Sequence, residues 1–179
     1  MRTFIAVDLS SEIKESIKDI IRQFSNYSVR LVDPDLVHIT IKFLGDVSEE
    51  RISPITDALS GVNCSPFDID IGGIGVFPNT DYIRVIWVGA KGDFIELYRE
   101  VEKALNPLGF PPDTRKFMAH ATLARSKRIP REQIRSLSSK IAQLSDVKLG
   151  RMKVDRIRFK KSTLTPNGPI YETLHEVRL

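Results

Sequence analysis

Two strings in this chain, His38-Ile39-Thr40-Ile41 and His120-Ala121-Thr122-Leu123, share the pattern His-apolar-Thr-apolar, 82 residues apart. Each sits in a run of apolar and β-branched residues that reads as a strand, so its His and Thr side chains project from one face. The chain has only three histidines, and two of them occupy one pattern. The repeat predicts a duplicated half-domain in which each half donates one strand to a shared centre.

The intervening sequence supplies the elements such halves need. Thr3–Asp8 reads as a strand, and Ser10 is placed to cap a helix whose Ile13, Ile17, Ile20, Ile21 and Phe24 recur at helical spacing. Asp33-Pro34-Asp35 breaks the chain before the strand Leu36–Leu44. A second helix is expected in Glu49–Leu59, with Ser53 as cap and Pro54 at its first position. Phe67–Ile74 and Tyr82–Val88 read as strands joined by a long loop, Gly72–Asp81. Asp93 and Glu96 have the spacing of a capping box for the helix that carries Leu97, Val101 and Leu105. Phe117–Ala124 is a strand, Pro130 opens a fourth helix, and Met152–Lys160 and Ile170–Arg178 are closing strands around Thr165–Pro169. This is an α+β pattern without regular βαβ alternation, which favours antiparallel sheets. Residues 1–179 are expected to form one two-lobed domain.

Charge is unevenly placed. Residues 1–112 hold 11 Lys/Arg and 17 Asp/Glu, whereas 113–161 hold 15 Lys/Arg and 4 Asp/Glu. That fits either a phosphate-rich partner or a solvated basic face. A single cysteine, Cys64, precludes an intramolecular disulfide or a Cys-rich metal site. No window reaches the roughly 18 apolar residues of a membrane span. The opening Met1–Asp8 reads as a strand rather than a signal peptide. The expectation is a soluble cytoplasmic monomer.

If the two faces meet across a groove, His38, Thr40 and Lys42 confront His120 and Thr122. One neutral imidazole can accept a proton while a protonated one donates, a pairing worth roughly 10²–10⁴ in rate per group. The hydroxyls and the ammonium can hold non-bridging oxygens of a phosphodiester. A two-histidine zinc site is the rival, but zinc ordinarily wants three protein ligands and His175 lacks supporting spacing. Gly72-Gly73-Ile74-Gly75 lacks the Lys-Ser/Thr of a phosphate loop. Neither a metal nor a cofactor is expected.

The paired motifs resemble the two-histidine (2H) phosphoesterase superfamily, and within it the RNA 2′,3′-cyclic phosphodiesterases, historically called 2′-5′ RNA ligases. The resemblance runs nearly end to end. It takes in Phe4-Ile5-Ala6-Val7, His38–Gly45, Gly75-Val76-Phe77-Pro78, Arg84–Gly89, His120–Arg125 and Leu164–Tyr171. It implies a bilobal, pseudo-twofold fold of two antiparallel sheets flanked by helices, with the motifs lining the groove between lobes. It also implies His38 as proton donor, His120 as proton acceptor, Thr40 and Thr122 as phosphate ligands, and Lys42 and Arg125 as further phosphate contacts. Strict alternation would turn Arg125 away from the groove unless the strand bends, and it places Phe43 on the core side. Arg84 and Trp87 are open between substrate-side and structural roles. Ala121 is smaller than is common in the family, at a core-facing position. The implied substrates are RNA ends or small nucleotides bearing 2′,3′-cyclic phosphates, with 2′-5′ ligation by the same site. The alternative from another class is an RNA-binding module that uses the basic C-terminal half without catalysis.

Overall fold

The computed structural model describes residues 1–179. In chain order the elements are β1 (Arg2–Asp8), α1 (Ser11–Arg22), β2 (Arg30–Leu31), β3 (His38–Asp46), α2 (Ile52–Ser60), β4 (Phe67–Asn79) and β5 (Tyr82–Lys91). They continue as α3 (Phe94–Leu105), β6 (His120–Arg125), α4 (Arg131–Gln143), β7 (Lys148–Val154), β8 (Arg156–Thr165) and β9 (Gly168–Arg178). All strand pairs are antiparallel.

Two four-stranded halves, β9-β8-β1-β3 and β6-β5-β4-β7, meet edge to edge. The seam between β3 and β6 is a single register pair, Ile39↔Ala121, the second residues of the two repeated strings. The expected two sheets are therefore joined into one, and the seam runs through the motifs. The sheet curls: the Tyr171 ring on β9 lies 5.2 Å from the His38 ring on β3. Three strand spacings in a flat sheet would separate them by roughly 14 Å.

The halves are interleaved. Helix α1 follows β1 but packs on β7 and β6 of the other half, and α3 follows β5 but packs on β3. Helices α2 and α4 complete the two helical layers, against α3 and β9 and against β4 respectively. The buried stripe of α1 is Ile13, Ile17, Ile20 and Ile21, and Ser10 caps it by accepting from the Ile13 N–H at 3.3 Å. These side chains join one continuous core that includes Ile5, Ile39, Ile55, Ile86, Leu97, Leu123 and Phe159.

Several boundaries differ from expectation for local reasons. Helix α2 begins at Ile52 after a 3₁₀ turn at Glu49–Arg51, so Pro54 falls in its first turn, where backbone N–H groups have no helical acceptor to lose. Asp93 precedes α3 but makes no side-chain cap. The expected loop Gly72–Asp81 is mostly strand, because β4 extends to Asn79 by absorbing register shifts at Gly72/Ile74 and Phe77/Pro78. Met152–Lys160 is not one strand. Asp155 breaks it where the chain leaves β4's flank in one half for β1's flank in the other.

Candidate active site

The two motifs occupy equivalent places. Residues 38–43 and 120–125 have the same burial sequence: half-buried, buried, half-buried, buried, buried, exposed. The match arises from a β-bulge at the same point in each. On β3 the register with β1 jumps from Ala6↔Thr40 to Ile5↔Lys42, leaving Ile41 unpaired. On β6 the register with β5 jumps from Trp87↔Thr122 to Ile86↔Ala124, leaving Leu123 unpaired. An extra residue shifts the phase of side-chain alternation by one.

That phase shift corrects two expectations. Lys42 shares the core face with Ile5 and is only 8% exposed. Its ammonium donates to both Glu102 carboxylate oxygens at 2.8 Å and to the Pro111 carbonyl at 2.9 Å, which uses all three donors. It is a strut from β3 to α3, not a groove cation. Phe43, expected in the core, returns to the groove face and is 68% exposed. Arg125, its counterpart on β6, is turned to the groove face by the equivalent bulge.

Both histidines are held alike. His38 Nδ1 lies 2.8 Å from the Leu36 carbonyl, and His120 Nδ1 lies 2.8 Å from the Met118 carbonyl. A carbonyl only accepts, so Nδ1 carries the proton and Nε2 is left for chemistry in each ring. Extending the Ile39↔Ala121 register by one residue each way sets His38 against Thr122 and Thr40 against His120. The site is thus two imidazole–hydroxyl pairs crossed over a pseudo-twofold axis.

The model for LigT-like phosphoesterases matches twice, over residues 7–87 and 89–171, one motif in each. The chain belongs to the LigT-like phosphoesterase family. Full-length relatives include the RNA 2′,3′-cyclic phosphodiesterase of Methanocaldococcus jannaschii, 40% identical over 98% of this chain and 99% of that protein. That of Archaeoglobus fulgidus is 41% identical over 97% and 98%. Among solved structures, a Thermus thermophilus protein superposes with TM-score 0.81 at 26% identity, covering 100% and 98% of the two chains. Escherichia coli LigT complexed with 3′-AMP shares the fold, with TM-score 0.79 at 24% identity over 99% and 97%. The protein is a 2H phosphoesterase, a hydrolase.

The two halves of this phosphoesterase differ in what surrounds each histidine. His38 stacks on Phe4 with ring centroids 4.9 Å apart, and Tyr171 meets it edge-on at 5.2 Å. Asp8 is its register partner on β1. Asp8 accepts from Lys160 at 2.5 Å and from Arg158, and Arg158 continues to Glu176 at 2.9 Å. Burial pushes the Asp8 carboxyl up, but Lys160 and Arg158 outweigh it and hold the group below the usual carboxylate range. Burial likewise drives His38 below its ordinary 6.5, and the Lys160 charge adds to this. The Leu36 hydrogen bond and the Asp8 charge oppose it without cancelling it.

His120 instead faces Phe77 at 5.1 Å and Trp87 at 6.1 Å. Trp87 occupies the place that Ala6 takes in the other half, opposite the motif threonine. It lies over Gly75, where any Cβ would come within 2.2 Å of the indole, so only glycine admits the ring. Trp87 is therefore a groove-face residue. Arg84 is structural: it donates to the Ser126 carbonyl at 3.0 Å and to the Tyr82 hydroxyl at 2.7 Å. His175 lies on the helix side, 3.1 Å from Ser60 Oγ of α2. Sequence reading missed Asp8, Lys160, Phe4, Phe77 and Tyr171 as neighbours of the histidines. The last three stand in blocks shared with the family, whereas nothing local marks Asp8 or Lys160.

Proposed function

We propose that this phosphoesterase opens 2′,3′-cyclic phosphates at RNA ends, or on small nucleotides, to 2′-phosphomonoesters without a metal. The observation that carries the reading is the pair of crossed His–Thr sets on one seam, each histidine committed through Nδ1 and free at Nε2. His120 Nε2 takes a proton from water as the water oxygen bonds to phosphorus in line. The bond from phosphorus to the ribose 3′-oxygen breaks, and His38 Nε2 delivers its proton to that oxygen. The Thr40 and Thr122 hydroxyls donate to the non-bridging oxygens, where charge grows in the transition state. Arg125 supplies the cation that Lys42, engaged with Glu102, does not. With an RNA 5′-hydroxyl in place of water, the same two proton transfers join ends through a 2′–5′ linkage.

The test is turnover of a short RNA ending in a 2′,3′-cyclic phosphate, in excess EDTA, beside His38→Ala and His120→Ala. The expected result is a 2′-phosphate product from the wild type and a rate lower by about 10²–10⁴ in each variant. Full activity in either variant would remove the two-histidine mechanism. RNA binding without any turnover by the wild type would favour a binding module instead.

A further inference from the structure

Near one mouth of the groove lie three guanidinium groups that make no ion-pair contact with a carboxylate. Arg30 and Arg125 are direct cross-strand partners between β2 and β6, and neither forms an ion pair, nor does Arg2. Arg2 stands in one cross-strand row with Asp46, Ser162 and Tyr171. The charges of Arg125 and Arg2 both act on the Tyr171 hydroxyl, opposing the upward push of its burial. Arg30 reaches the tip of the β8–β9 hairpin: its Nη2 is 3.7 Å from where a Cβ on Gly168 would stand. Like charges placed directly across a strand pair destabilise a sheet unless an anion joins them. The cations along β8, Arg156, Arg158 and Lys160, are by contrast all paired with Asp155, Glu176 or Asp8.

Flat side chains accompany the free cations. Tyr171 bridges this cluster to His38 and Phe4, each ring 5.2 Å away, and Leu164 on the hairpin is 64% exposed. Unpaired arginines beside aromatic and apolar surface are what single-stranded nucleic acid uses: cations for the backbone, flat faces for the bases. We propose that Arg2 and Arg30, with Arg125 between them and the reacting phosphate, hold the phosphodiesters that precede the cyclic end of a single-stranded RNA. This rests on the phosphodiesterase reading above and adds which side chains hold the RNA upstream of its reacting end.

The experiment compares kcat/KM on a nucleoside 2′,3′-cyclic monophosphate and on a hexanucleotide with the same cyclic end, between about 50 and 200 mM salt. Wild type should favour the hexanucleotide by about tenfold or more at low salt, an advantage that shrinks as salt rises. Each neutralised single-strand phosphate contributes a log–log slope of roughly −0.7. Arg30→Gln and Arg2→Gln should each raise KM for the hexanucleotide and flatten that slope, while leaving the mononucleotide constants unchanged. Arg30→Lys should restore most of the salt dependence. Equal kcat/KM on the two substrates, or a double Gln variant that keeps the hexanucleotide advantage, overturns the track. Absence of turnover on both substrates overturns the phosphodiesterase reading alone. The track is then read directly from salt-dependent binding of a 2′-phosphorylated hexanucleotide to wild type and the double variant, where equal affinities overturn it.

Discussion

An imidazole whose Nδ1 donates to a carbonyl two residues back has one nitrogen left for chemistry, and both motif histidines are in that state. They differ in environment, since burial and Lys160 lower His38 from its ordinary 6.5. In the proposed acid role His38 must be protonated, so the sign follows. The parameter kcat/KM reports the free enzyme and should fall as pH rises through a value below 6.5. The parameter kcat reports the complex, where the substrate's negative charge beside Nε2 favours imidazolium, and should fall at higher pH. Lys160→Met removes a charge that disfavours protonation and should move the kcat/KM limb upward. The measurement is a pair of pH–rate profiles, and coincident alkaline limbs in kcat and kcat/KM would take the acid role away from His38. At this scale the sequence showed the histidines and threonines through their repeated spacing. It could not show Asp8 or Lys160, which reach His38 only because β1 pairs with β3 and β8 pairs with β1.

A single unpaired residue in each motif strand decides which side chains face the groove. The bulges at Ile41 and Leu123 turn Phe43 and Arg125 to the groove and Lys42 to the helices. Alternation read along the sequence has a strict period of two, and nothing in His-Ile-Thr-Ile-Lys-Phe announces where that period slips. The consequence for Lys42 is testable. Lys42→Met leaves the Glu102 carboxylate buried without its ammonium and should cost about 3–5 kcal/mol of stability. Lys42→Met combined with Glu102→Leu removes both charges and should recover most of that loss in urea denaturation. The folded double variant should keep kcat/KM within a few-fold of wild type. A large rise in KM in that folded protein would instead put the ammonium at the substrate. The same element-scale logic explains the strand Phe67–Asn79. Its glycines and proline read as a loop, yet the pairing partner β5 carries them through register shifts.

The whole molecule is two sequence repeats that do not form two independent lobes. The family model divides the chain near residue 88, but the structure does not. The half that carries His38 takes β8 and β9 from the C-terminus, and α3 covers its back. The half that carries His120 is covered by α1 from the N-terminus. Separate fragments 1–66 and 67–179 should each lack cooperative unfolding by circular dichroism, because each would expose the apolar face its partner's helix covers. Mixing them should restore ellipticity and a single transition. A fragment that unfolds cooperatively alone would show that the interleaving is dispensable.

The sequence by itself determined the helices, through apolar spacing that ignores long-range context, and the paired histidines and threonines, through a motif written twice. It also determined the family, because the flanking blocks occur in order along nearly the whole chain. Only the tertiary structure decided which half each helix and C-terminal strand serves, where the two bulges shift the phase, and which cations are spent on internal carboxylates. Those outcomes depend on partners distant in sequence: Asp8 with Lys160, Lys42 with Glu102, Arg30 with Arg125. A local pattern carries no information about a neighbour that arrives from 60 or more residues away.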